Sequence, residues 1–159
     1  GAVRALVGTL GFLGVTALGG GIEMLVFPQG NEFLPADFLD RIPVADSFVL
    51  PGIVLALVFG LGSLVVMVGV LRRPRWAWLE AVQHATGQHW SWAATLALGI
   101  GFLAWMAVEI TWLGTPWESP PGEDRTFAFL LYGIYLTVAA LLVALPWTRS
   151  VRDHLGPPA

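Results

Sequence analysis

Residues 47–71 read SFVLPGIVLALVFGLGSLVVMVGVL, a run with no charged side chain. A helix rises about 1.5 Å per residue and needs about 20 residues to cross roughly 30 Å of bilayer hydrocarbon, so this stretch is long enough to span a membrane. Pro51 suits the first turn of a helix, where its missing N–H has no intrahelical partner to lose, and this sets the start of the span near Val49. Outward from it, 126–148 is also free of charge, 5–27 is interrupted only by Glu23, and 92–113 only by Glu109. The 159-residue chain is therefore expected to be all-α, an integral membrane antiparallel four-helix bundle forming one membrane domain over 1–159. Its spans are 5–27, 49–71, 92–113 and 127–147, with an outer loop at 28–48 and an inner interfacial segment at 72–91.

Composition points the same way. Apolar residues make up 56% of the chain and charged residues 12%, with a mean hydropathy of +0.72, against about 25% charged in soluble domains. All eight basic residues are arginine. With four alternating helices, Arg4, Arg72, Arg73, Arg75, Arg149 and Arg152 fall on one side, leaving Arg41 and Arg125 on the other. The positive-inside rule then puts both termini in the cytoplasm, the topology of a multi-pass protein of the cell inner (cytoplasmic) membrane. A net charge of −3 without a basic face argues against a nucleic-acid partner. The absence of cysteine removes disulfides and thiolate metal sites. The first apolar run is longer than the core of a secretory signal and no small-residue cleavage site follows it, so it is expected to be retained.

Tryptophan marks the membrane boundaries a second time. Trp76, Trp78, Trp90, Trp92 and Trp147 bracket the inner ends, and Trp112 and Trp117 the outer end of the third span, as in an aromatic belt. Trp105 alone lies mid-span, either packed against lipid or another helix, or forming the wall of a pocket.

The outer loop is partly apolar and predicts a short amphipathic helix over 35–41, lying on the membrane surface or folded over the bundle. In the inner segment the arginines and tryptophans suit a helix in the headgroup layer, ended by Gly87. His84 and His89 are five apart, a spacing that does not align two ligands on one helix face, and no metal site is assigned. Many of the 19 glycines lie inside the spans, where small residues allow close helix packing. The triplet Gly19-Gly20-Gly21 also raises local unwinding beside Glu23, since each glycine weakens a helix by roughly 1 kcal/mol relative to alanine.

Ile42-Pro43, Phe48-x-Leu50-Pro51-Gly52-Ile53, Leu55, Gly60 and Trp105-x-x-x-Glu109 together resemble small four-helix bacterial integral membrane proteins with no assigned activity. The resemblance implies four helices and a bacterial membrane; it implies no chemistry.

Glu23 and Glu109 stand out because a carboxylate at membrane depth is costly unless paired, protonated or hydrated. Each lies four residues before the outer end of its span, about 6 Å deep. Tyr132 and Tyr135 enter from the same side, with Thr111 and Thr115 at similar height. Glu23, Glu109, Tyr132, Tyr135 and Trp105 form the candidate ligand-binding set. Each glutamate could equally snorkel to the headgroups without binding anything. No nucleophile with a base, zinc pair or phosphate loop is present, so no catalytic residue is named and no cofactor is implied.

Three functions follow, in order. The first is a non-enzymatic accessory or scaffold subunit, packing through glycine-rich helix faces against membrane lipids, a second copy or a larger membrane complex. The second is an outward-facing protein that binds or transports a cation, a proton or a small amphiphile. The third is a lipid-modifying intramembrane enzyme.

Overall fold

The computed structural model describes residues 1–32, 34–43, 45–114 and 125–156, and these are helical with no strand among them. Four helices are long and apolar enough to cross a membrane: Ala2–Val26, Val49–Arg72, Trp90–Leu113 and Thr126–Trp147. The first starts at Ala2 and takes Arg4 into its opening turn. The third starts at Trp90, ahead of its apolar run, because His89 caps it: its Nδ1 accepts from the Ser91 N–H at 3.3 Å.

The first and second long helices meet backbone to backbone. A methyl group on Gly21 would lie 2.5 Å from the Ala56 nitrogen, and one on Gly60 would lie 2.9 Å from the Leu18 Cα. Gly14 and Gly52 are similarly closed off, by Leu64 and by Met24 with the Gly21 carbonyl. Along this seam the second helix widens into a π-helical segment, Leu55–Leu61, before resuming α geometry at Gly62. The glycine triplet does not unwind: the first helix is continuous from Ala2 to Val26. Gly21 faces the seam, Gly20 touches Leu55, and Gly19 looks into open space. The loss of helix propensity is offset by the close approach the glycines permit.

The third helix packs on the second through Phe59, whose ring lies 5.0 Å from that of Phe102 and 5.8 Å from that of Trp105. It packs on the fourth where Gly99 meets Leu142; a methyl there would sit 2.9 Å from the Leu142 Cβ. Tyr135 on the fourth helix reaches Phe102 and Phe12, at 5.8 and 6.3 Å between ring centres. The resulting core runs through Leu6, Leu10 and Leu13, Val66 and Val70, Phe102 and Met106, and Ala139 and Leu142.

Shorter elements close the two ends. A final helix, Arg149–Leu155, folds back so that Val151 and Leu155 join the core. Between the second and third long helices lie a 3-10 turn, Ala77–Leu79, and a helix, Glu80–Thr86, terminated by Gly87 with φ +64°. At the opposite end the loop after the first long helix forms a 3-10 helix, Ala36–Arg41, tied at its base by Phe48 N–H donating to the Pro28 carbonyl at 2.9 Å.

Several tryptophans at the end carrying the termini also fasten the chain to itself. Trp90 is buried and donates to the Pro74 carbonyl at 3.0 Å, and Trp92 donates to the Pro146 carbonyl at 2.8 Å. Trp76 stacks on Trp90 at 4.8 Å and on Trp78 at 5.8 Å. Only Trp78 and Trp147, 75% and 58% exposed, present most of their surface outward.

Candidate functional site

Glu109 lies one helical turn beyond Trp105, and that spacing lets the indole N–H donate to Oε1 at 2.8 Å. The carboxylate is half-buried and within electrostatic reach of the Tyr132 phenol on the fourth helix. Trp105 is positioned in turn by the Phe59 ring. The third helix thus supplies the carboxylate and its donor, the fourth brings Tyr132 within electrostatic reach, and the second packs Phe59 against Trp105.

Glu23 has a different partner. Its Oε1 accepts from Asn31 Nδ2 at 2.9 Å, while Asn31 Oδ1 accepts from the Leu34 N–H at 2.8 Å. The Asn31 N–H also donates to the Leu34 carbonyl at 2.8 Å, and Gly30 adopts φ +94° to allow the turn. Glu23 therefore anchors the start of the loop. Asn31 escaped the sequence reading because an asparagine beside a glycine looks like ordinary turn chemistry.

Of the five residues proposed from sequence, Glu109, Trp105 and Tyr132 lie together. Tyr135 sits deeper, between Phe12 and Phe102, and Glu23 is engaged with the loop. No hydrogen bond joins the two glutamates, or either glutamate to a tyrosine, among the described residues. Thr111 donates to the Ala107 carbonyl at 2.7 Å; Thr115, Trp117 and the other residues of 115–124 lie outside the described residues. Arg41 closes this end by donating from Nη1 to the Leu113 carbonyl at 3.0 Å, satisfying one of the last orphan acceptors of the third helix.

Two of the three histidines, His89 and His154, are engaged structurally, while His84 is exposed. His89 donates from Nε2 to the Pro74 carbonyl at 3.1 Å, and its Nδ1 faces the Ser91 hydroxyl at 2.9 Å. Burial pushes its pKa below the usual value, partly opposed by the hydrogen bond to Pro74. His154 bonds the Val70 carbonyl at 2.9 Å. Among the described residues no group of three or more His, Cys, Asp or Glu side chains is arranged to hold a metal ion.

No protein-family model matches the chain, and neither a curated protein nor a solved structure is detectably similar to it.

Proposed function

We propose that this chain is a multi-pass protein of the bacterial cytoplasmic membrane, an antiparallel four-helix bundle with both termini in the cytoplasm. In this reading it serves as a non-enzymatic accessory or scaffold subunit. The observation that carries it is the uneven coverage of the helices: 39% of the most apolar window is buried in each of the first two, against 17% in the fourth. Between the fourth and first helices runs an open apolar groove of about 540 Å³, lined by Phe12, Phe129, Leu130, Gly133, Ile134, Thr137 and Val138. Most span glycines are already used inside the chain, whereas Gly8, Gly19 and Gly133 have nothing within 4 Å of an added methyl. Those three define the glycine-bearing surface left for another helix. Gentle extraction from native membranes should yield an assembly larger than the monomer; a bare monomer would sink this reading.

The cluster of Glu109, Trp105 and Tyr132 favours a second reading, a binding site for a cation, a proton or a small amphiphile near the outer surface. Replacing Glu23 and Glu109 together by glutamine should then abolish any ligand-induced thermal shift, and an unchanged shift would remove the idea.

A further inference from the structure

A second concavity, of about 480 Å³, opens at the end carrying the termini and is lined by Gln88, Trp147, Arg149, Arg152, Asp153 and Gly156. Its volume lies within the roughly 300–1,000 Å³ of small-molecule sites. It sits where the fourth long helix ends and the final short helix begins, so in the membrane reading above, on which this inference rests, it opens at the cytoplasmic headgroup layer.

Three features define what it would hold. Arg149 and Arg152 bring two guanidinium groups to one wall, and guanidinium forks match phosphate oxygens. Arg149 forms an exposed ion pair with Asp153 at 3.8 Å, the two side chains 96% and 72% exposed and so only weakly held, and Arg152 makes no side-chain bond or ion pair among the described residues. Trp147 supplies an exposed indole, held by an edge contact to Trp92 at 5.0 Å between ring centres, at the depth where indoles favour the headgroup boundary. Gln88 lines the same concavity, and its amide oxygen is buried with no hydrogen-bond partner. A buried acceptor left unpaired is costly, and either orientation of the amide can bond a hydroxyl.

We propose that this concavity binds the headgroup of an anionic phospholipid whose phosphate diester carries a hydroxylated substituent, with phosphatidylglycerol as the matching chemistry. The arginines take the phosphate, Gln88 and Asp153 the hydroxyls, and Trp147 the glycerol boundary. A headgroup with charge but no hydroxyl would use only half the site.

The test uses the full chain in detergent, exposed to phosphatidylglycerol, phosphatidylserine and phosphatidylcholine with identical acyl chains, with bound lipid read by native mass spectrometry. Phosphatidylglycerol should be retained above phosphatidylserine, and phosphatidylcholine least. Arg149→Gln and Arg152→Gln should each weaken anionic lipid binding about fivefold, the equivalent of about 1 kcal/mol per arginine. Gln88→Leu should bring phosphatidylglycerol down to the level of phosphatidylserine. Equal retention of phosphatidylglycerol with either other lipid, or indifference to both arginine changes, would overturn the assignment. Displacement of the lipid by soluble glycerol 3-phosphate would also overturn it, in favour of a soluble phosphate ester. Both arginines are exposed, so their replacement leaves the core intact, and circular dichroism checks this. Release of the chain from membranes by alkaline carbonate would instead defeat the membrane reading, a result separable from lipid preference.

Discussion

The two ends of the molecule are built differently. At the end carrying the termini, side chains reach across the chain to backbone carbonyls: Arg73 to His154 at 3.0 Å, His154 to Val70, His89 and Trp90 to Pro74, and Trp92 to Pro146. The His89 N–H adds a bond to the Leu155 carbonyl at 2.7 Å. At the loop end the described fasteners are fewer: Asn31 to Glu23, Arg41 to Leu113, and Phe48 to Pro28. Among the described residues, one end is clasped by polar bonds beneath stacked indoles, and the other is joined by these three bonds. Cooperative stability should therefore reside in the glycine seam and the clasp, with local opening at the loop.

Breaking the seam should have the largest effect. Gly21→Ala drives a methyl into the Ala56 backbone and should cost about 3 kcal/mol, measured as reduced thermal stability in detergent or lipid. Gly19→Ala, two residues away with open space around it, should be neutral or stabilise by up to about 1 kcal/mol. Equal effects at the two positions would contradict the seam.

The clasp comes next. His89→Ala removes the N-cap of the third helix and a buried hydrogen bond, an expected loss of about 2 kcal/mol in the same unfolding measurement. The sign of its pH dependence follows from burial, which lowers the folded pKa below the usual 6.5. Above pH 6.5 both states hold His89 neutral and its contribution is complete. As pH falls below that value the unfolded chain takes up the proton first, and stability declines towards the folded pKa. His89→Gln should flatten this part of the profile, and an unchanged slope would assign it to other groups.

The loop end should respond least. Arg41→Ala loses one exposed hydrogen bond and should cost no more than about 1 kcal/mol, with its main effect being faster proteolysis of the loop at 28–48. A loss as large as that of His89→Ala would erase the contrast between the ends.

How much of this was legible in the sequence depended on the range of the interaction. Charge-free runs located the long helices because length and apolarity are local properties of a segment. Pro51 and Gly87 marked a helix start and stop because backbone rules act within a few residues. The π-helical segment was not readable, since 55–61 is apolar in any helical register and its widening accompanies contact with a helix some forty residues earlier in the chain. Likewise the bonds of Trp90 and Trp92 to distant carbonyls were not readable, because indole favours the boundary whether or not its N–H is used. In the candidate site Trp105 and Glu109 were each singled out but not paired; their spacing of four on one helix is the signal that would have joined them. Glu23 binding Asn31 required the turn at Gly30, whose geometry the residue type permits but does not dictate.

Partner binding by the uncovered face of the fourth helix is tested most directly by single cysteines in a chain that has none of its own. Leu130→Cys, Gly133→Cys and Thr137→Cys would be compared with Leu142→Cys, whose side chain is fully buried. The account predicts that oxidation or short bifunctional reagents in native membranes cross-link the first three, to a second copy or a single partner, and leave the fourth unlinked. Absence of cross-links at all four positions, with the chain remaining monomeric, would contradict it.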